Sequence, residues 1–281
     1  DVLDELPHDG LGIGASLREE DGRQRLTTET PDGPRQNCER LTALPRHLER
    51  RPAVGNVQQR LGRQPGERAD RVAQVGQLLD YLGLLQKWGR VYNLTAVRDP
   101  QEMLTHHVLD SLSVVLPMRR QLEILRTGRL GNPQGDQDKV APQKPFALLD
   151  VGSGAGLPGV VIAITCPEIQ VTCLDAVAKK VAFIQQVGAT LRLSNLAGLH
   201  ARIETIAQTY DMISSRAFSS LADFVRGSHK ALAAGGVWMA MKGKNPEEEL
   251  AALPEMAKVF HVEQLQVPGL DAQRCLVWMR G

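Results

Sequence analysis

From residue 146 onward the chain alternates short apolar runs with longer amphipathic stretches, and this alternation limits the possible folds more than any other feature. FALLDV at 146–151 is a short run, apolar but for Asp150, the pattern of a strand buried on both faces. A glycine turn then leads into an apolar helix starting near Pro158. QVTCLD at 170–175 is a second strand, followed by a helix through Val181, Ile184 and Leu191. Runs at 196–200 and 211–214 read as strands three and four. A helix over 220–233, the strand GGVWMAMK at 235–242 and a helix over 246–257 continue the series. It closes on KVFHVEQLQV and QRCLVWMR, two strands joined by the turn Pro268-Gly269-Leu270-Asp271. Strand–helix alternation predicts a parallel sheet with helices on both faces. The last connection is too short for a crossover helix, so the final two strands are expected to form an antiparallel hairpin.

Upstream of the sheet the pattern is helical. Residues 71–88 place Val72, Val75, Leu79, Leu82 and Leu85 at helical spacing, which predicts an amphipathic helix with that stripe as its apolar face. Asp99-Pro100-Gln101-Glu102 reads as N-cap, N1 proline and capping-box glutamate. It opens a helix through Met103, Val108, Leu109, Leu112 and Leu116, which Pro117 is expected to end. From Arg126 to Lys144 the chain is polar and rich in Gly and Pro, a loop or insertion. Residues 1–70 contain no Phe, Trp, Tyr or Lys, and Gly and Pro outnumber Leu, Ile, Val and Phe there. So little apolar surface does not offset ~1–2 kcal/mol of chain entropy per ordered residue. The expected organisation is a largely disordered extension (1–70), a helical part (71–126), a polar insertion (127–144) and a sheet-forming core (145–281). The chain begins with Asp rather than Met, which reads as a fragment, a processed end or a mis-assigned start.

Composition removes several functional classes. The 281 residues carry 33 Lys plus Arg against 32 Asp plus Glu, so a globally basic nucleic-acid coat is excluded and only a local basic patch remains open. No apolar run approaches the ~18 residues of a membrane span, and the first residues lack the pattern of a signal peptide. Cys38, Cys166, Cys173 and Cys275 are scattered without a CxxC pair, which argues against a zinc site or disulfide framework and for a reducing cytoplasm.

The strongest local signal is Asp150-Val151-Gly152-Ser153-Gly154-Ala155-Gly156-Leu157-Pro158-Gly159. Glycines directly after a buried strand let the backbone approach a ligand where a Cβ would clash. The following helix N-terminus is expected to offer N–H groups to a polar ligand. Asp175, at the end of the second strand, can accept from both hydroxyls of a ribose. Two cofactors fit. Gly154-x-Gly156-x-x-Gly159 matches the dinucleotide fingerprint, so an NAD enzyme must be weighed. Counted from the strand end, the spacing is the tighter D-x-G-x-G-x-G, with glycines at 152, 154 and 156, which suits the nucleoside sulfonium S-adenosyl-L-methionine. The closing hairpin also favours a methyltransferase sheet over two equal dinucleotide-binding halves.

The chain resembles the RsmG (GidB) family of bacterial 16S ribosomal RNA guanine-N7 methyltransferases. The resemblance rests on YNLTAVRDP (92–100), HVLDSL (107–112), LLDVGSGAGLPGVVIAI (148–164), ISSRAF (213–218) and Met241-Lys242-Gly243, and spans roughly residues 71–281. Two segments depart from it, the long N-terminal extension and the polar insertion between Arg126 and Lys144. The resemblance implies a Rossmann-like class I methyltransferase fold: a mostly parallel seven-stranded sheet with a C-terminal antiparallel hairpin and N-terminal helices. It implies S-adenosyl-L-methionine as cofactor and 16S rRNA or the small ribosomal subunit as partner, with no membrane and no metal. The implied reaction is methylation of guanine N7, at nucleotide 527. It carries cofactor contacts onto Gly152, Leu157, Ile203, Glu204 and Arg216, beside Gly154 and Gly156 from the loop itself and Asp175 at the end of the second strand.

Arg98, Arg216, Lys242 and Lys244 are candidate RNA contacts, because they fall near the expected cofactor mouth. Phe218 reads as a core aromatic. His106, His107 and Asp110 suggest a catalytic or metal cluster, but His106 and Asp110 are i, i+4 on one helix, a spacing that commonly gives a local hydrogen bond. With no further ligand nearby in sequence, a structural tie is the preferred reading. No residue stands out as a catalytic acid or base. Methylation of another nucleobase or of a small molecule, an NAD-dependent oxidoreductase and a nonenzymatic cofactor-binding module remain alternatives.

Overall fold

The computed structural model describes residues 65–92, 94–129, 144–216, 218–244 and 246–281. Seven strands, β1 (Phe146–Val151), β2 (Ile169–Asp175), β3 (Leu196–His200), β4 (Tyr210–Ser215), β5 (Leu232–Lys242), β6 (Lys258–Leu265) and β7 (Arg274–Arg280), form one sheet in the order β3-β2-β1-β4-β5-β7-β6. The first five are parallel, while β7 runs antiparallel to both β5 and β6. The expected parallel sheet with its closing hairpin is what the chain forms. β1 lies at the centre with all six residues buried, and strand order reverses between β1 and β4. That reversal opens a crevice at the C-terminal strand ends, the place where such sheets bind ligands.

Each face of the sheet has its own core. Leu148, Val171, Met212, Met239 and Trp278 point to one face, and Leu149, Ile213, Trp238 and Val277 to the other. On the first face pack α1 (Pro65–Tyr92), α5 (Gly159–Thr165) and α6 (Ala178–Leu191); on the second packs α7 (Leu221–Ser228). Between α1 and β1 the chain forms α2 (Pro100–Met103), a π-helical segment (Leu104–Leu109), α3 (Asp110–Leu112) and α4 (Val115–Arg129); α8 (Glu247–Ala251) follows β5.

The N-terminal helices depart from expectation in two ways. On α1, Val72, Val75 and Leu79 are 67%, 55% and 58% exposed, whereas Leu78, Tyr81 and Leu85 are buried. Of the predicted stripe Leu85 is buried and Leu82 partly so, but over the earlier turns the docked face is rotated by one residue, about 100°, from it. It carries Gln74 and Gln77, whose side-chain amides donate to Thr165 O (3.4 Å) and Leu191 O (3.1 Å), the last carbonyls of α5 and α6. These carbonyls have no intrahelical partner. Polar residues thus belong to the packed face, and hydrophobic periodicity alone assigns them to solvent. Second, Pro117 does not end a helix. It sits in the first turn of α4, where a missing N–H costs nothing. The Asp99 cap holds as expected: its carboxylate accepts from Gln101 N (2.9 Å) and Glu102 N (3.0 Å). Residues 1–64 and 130–143, which include most of the expected extension and insertion, lie outside the described residues.

Candidate active site

The three loop glycines divide into two kinds. All have positive φ: 65° at Gly152, 60° at Gly154 and 91° at Gly156. A Cβ at Gly152 or Gly154 would meet nothing within 4 Å, whereas one at Gly156 would strike the Val160 side chain at 2.4 Å. Gly156 therefore serves packing, and Gly152 and Gly154 border open space. Leu157 is buried behind them. Asp175 closes the loop from β2, its Oδ2 accepting from Gly154 N and its Oδ1 from Val177 N, both at 2.9 Å. Lys180 Nζ lies 3.7 Å from the same carboxylate.

Asp150 braces the loop from below. Its Oδ2 accepts from Gly159 N and its Oδ1 from Ser214 Oγ, both at 2.9 Å, tying β1, the start of α5 and β4 together. The carboxyl is fully buried, and desolvation pushes its pKa from 3.8 to about 6, against the stabilising bonds from Gly159 and Ser214. Gly159 must be glycine, because a Cβ would lie 2.4 Å from Cys173 Sγ and 2.9 Å from Asp150 Oδ2. Of the first four N–H groups that this helix was expected to offer, three are already engaged. Gly159 N goes to Asp150, Val160 N to Gly156 O (2.7 Å) and Ile162 N to Pro158 O (3.0 Å). A carboxylate stands where a dinucleotide's pyrophosphate would seek donors.

Tyr81 is the residue that sequence reasoning missed. Fully buried on α1, it donates its hydroxyl to Ala155 O at 2.8 Å, reaching across 74 residues to hold the glycine loop. The available signal was the spacing of Tyr81, which lies one residue out of the predicted stripe yet i, i+4 from Leu85, a member of it.

At the β4 and β5 ends the cations are already paired. Arg216 Nη1 donates to His106 O (2.9 Å) and Asp110 Oδ2 (3.3 Å), and Arg274 Nε donates to Asp110 Oδ1 (2.9 Å). The buried Asp110 thus joins the N-terminal helices to the ends of β4 and β7. His107 Nε2 lies 2.6 Å from Thr95 Oγ1, which accepts from Val97 N. Burial, then Arg216, lowers the His107 pKa, so the ring is neutral at neutral pH. These side chains tie the helices to the sheet, the preferred reading of the His106, His107 and Asp110 group. Among the described residues no three His, Cys, Asp or Glu side chains are grouped to hold a metal.

Lys242 Nζ meets both oxygens of Glu249 (3.0 and 2.7 Å), and Glu249 Oε2 also accepts from Leu221 N (2.7 Å). Lys244 and Arg98 are exposed, and Arg98 Nη1 donates to Gly89 O (2.8 Å). Beyond β3, Ile203 is buried and Glu204 exposed, both beside Gly227 of α7. Phe218 is half-buried against Phe224, with ring centroids 5.6 Å apart.

Gly152, Gly154, Asp175, Ile203, Glu204 and Arg216 therefore all lie at or just beyond the C-terminal ends of β1 to β4. The residues fit a nucleoside sulfonium. Two glycines leave room for close approach, and Asp175 uses two of roughly four accepting positions, leaving others for hydroxyls.

The chain matches the GidB family, described as rRNA small subunit methyltransferase G, over residues 74–125 and 138–277. A protein from a Polaromonas species (strain JS666) is 64% identical over 208 residues, covering 74% of this chain and 85% of the relative. One from Albidiferax ferrireducens is 64% identical over 207 residues, covering 74% and 88%, and one from an Acidovorax species (strain JS42) is 62% identical over 209, covering 74% and 87%. All three carry the name Ribosomal RNA small subunit methyltransferase G.

Proposed function

Since the chain belongs to the rRNA small subunit methyltransferase G family, we propose that it methylates N7 of a guanine in 16S ribosomal RNA, with S-adenosylmethionine as the methyl donor. Nucleotide 527 is the family-typical position. The observation that carries this reading is the loop: open at Gly152 and Gly154, yet with the buried Asp150 carboxylate capping the helix that a pyrophosphate would need. A sulfonium nucleoside brings no phosphate, so the acid is no obstacle. For a ribosomal RNA substrate we assign the enzyme's action to the cytoplasm. No helix among the described residues is long and apolar enough to cross a membrane.

The chemistry explains the absence of a general base from the motifs. N7 of guanine has an in-plane lone pair and no proton to remove. S-adenosylmethionine supplies a methyl group on a sulfonium centre, which needs no further activation. The protein's contribution is then positioning. Gly152 and Gly154 admit the cofactor to the backbone, Asp175 orients its ribose, and Tyr81 and Asp150 hold the loop. Arg216 sits fixed at the end of β4 by Asp110 and His106 O, at the rim where the target base must arrive unstacked.

The test is mass mapping of nucleosides after incubating the purified protein with S-adenosylmethionine and small subunits that lack the modification. One 7-methylguanosine in 16S rRNA is expected. Methylation elsewhere would change the substrate. A thermal midpoint raised by NADH, and not by S-adenosylmethionine or its demethylated product, would overturn the cofactor.

A further inference from the structure

A cleft of about 290 Å³ lies between α1 and α6, lined by Trp88, Tyr92, Lys179, Ala182, Phe183 and Gln186. Its place follows from how the two helices run. Gln77 of α1 meets the C-terminal end of α6, at Leu191, whereas Trp88 and Tyr92 meet its N-terminal half. The helices are therefore antiparallel, and the last turns of α1 lie beside the start of α6, three residues after Asp175. Tyr81 already touches the glycine loop, and the helix continues eleven residues, or ~16 Å, beyond it. The cleft thus flanks the cofactor side of the sheet and is built from elements other than the loop.

Its chemistry is specific. Trp88 and Tyr92 stack on each other, with centroids 5.4 Å apart and planes 11° from parallel. Both remain partly exposed, while the other two tryptophans, Trp238 and Trp278, are buried. Lys87 Nζ lies 5.7 Å from the Trp88 ring centre, and Lys179 is exposed on the opposite wall. No acidic residue occurs between Asp80 and Tyr92 or between Asp175 and Glu204, so both walls carry only positive charge near the cleft. Gln186 spends its amide nitrogen on Thr190 Oγ1 (3.0 Å), and its carbonyl oxygen is still able to accept. The volume is at the small end for ligand sites, room for a base rather than a whole cofactor. An aromatic pair between lysines is how proteins hold unpaired nucleotides: the base stacks and the phosphate meets the cation.

We propose that the Trp88–Tyr92 cleft is an RNA subsite that takes an unpaired base near the target guanine, with Lys87 and Lys179 meeting its flanking phosphates. The proposal rests on the RNA reading of the active site, but it can fail separately. The probe is a mixed-sequence single-stranded RNA dodecamer, with a blunt RNA duplex as competitor. Trp88 is the partly exposed tryptophan, so the single strand should quench its fluorescence, and Trp88→Phe should abolish the signal while retaining binding. Trp88→Ala and Tyr92→Ala should each weaken single-strand binding about 5- to 150-fold, the range of one stacked base. Affinity for S-adenosylhomocysteine should not change. Lys179→Ala, on an exposed side chain that does not endanger folding, should lower the slope of log affinity against log salt by ~0.7. Unchanged RNA affinity in both aromatic variants and Lys179→Ala would overturn the proposal, as would a loss of S-adenosylhomocysteine binding or equal competition by duplex. Methylation of small subunits by the unaltered protein is read in parallel. Its absence alongside Trp88 quenching defeats the proposed reaction and leaves the subsite standing; the reverse result defeats the subsite alone.

Discussion

The two halves of the crevice are made differently. On the β1–β2 side the surface of the crevice is backbone: Gly152 and Gly154 border open space, and the nearby acid, Asp175, is oriented by N–H groups from its own loops. On the β4–β5 side the surface is charged side chains, and those charges are spent within the protein. Arg216 and Arg274 share Asp110, and Lys242 is clasped by Glu249. The first half leaves its backbone open to close approach. The second is a set of ties that hold the π-helical segment, α3, α8 and the strand ends in register. A basic residue near a mouth is therefore not by itself an RNA contact. Of the four cations singled out from sequence, Lys242 and Arg216 are paired with acids, whereas Lys244 stands exposed.

The harshest way to break this contrast is to remove Asp110. Asp110→Ala leaves two partly buried guanidinium groups without their shared carboxylate, and removing one partner of a buried pair costs ~3–5 kcal/mol. Urea unfolding should show a loss of that order, with activity falling because Arg216 is no longer held. A loss under 1 kcal/mol would mean that the pairing is a surface convenience.

Asp150 gives a comparable effect through pH. Its folded pKa of about 6 lies above the ordinary 3.8, so the folded chain binds the proton more tightly than the unfolded one. This contribution to stability is fully present below about pH 4, is lost as pH rises toward 6, and is gone above it. Two pKa units correspond to ~3 kcal/mol. The difference in unfolding free energy between the unaltered protein and Asp150→Asn should change by that order between pH 4 and pH 7. A constant difference would show that the carboxyl titrates as an ordinary surface acid.

On the open side, Asp175→Ala should weaken S-adenosylhomocysteine binding by ~1–3 kcal/mol in calorimetry, the range for a hydrogen bond to a charged group. Asp175→Asn sharpens the reading. It keeps one oxygen for Gly154 N or Val177 N, so a loss confined to the alanine variant assigns the effect to loop geometry. Equal losses assign it to the ligand.

Most of the sheet was legible because its signals are local. FALLDV matches β1 residue for residue, and the short turn after Val267 could only make a hairpin. The glycine spacing marked the loop for the same reason, since positive φ and close approach exclude other residues. What stayed hidden depends on partners far away in sequence. The docked face of α1 includes Gln74 and Gln77, whose partners are carbonyls of α5 and α6, so the apolar count misplaced the earlier turns. Whether Arg216 and Lys242 face a ligand or an acid depends on Asp110 and Glu249, and no periodicity records that. The segment YNLTAVRDP was the most distinctive of the motifs. Within it, Thr95 binds His107 and Asp99 caps α2, so it identifies the family through residues that shape the approach to the site.

The smallest predicted effect joins the two halves. Tyr81 belongs to the helical part yet contributes its hydroxyl to the glycine loop, and burial holds that hydroxyl protonated well above its usual range. Tyr81→Phe keeps the ring that packs beside Leu85 and removes only the bond to Ala155 O, which costs ~0.5–1.5 kcal/mol. If α1 merely covers the sheet, that cost should appear in unfolding alone. If α1 sets the loop, part of it should appear as weaker S-adenosylhomocysteine binding, because the free loop would then sample shapes in which Gly152 and Gly154 no longer face the ligand together. Calorimetry on a variant of measured stability separates the two. Unchanged affinity beside reduced stability would confine Tyr81 to packing and leave the loop to Asp150 and Asp175.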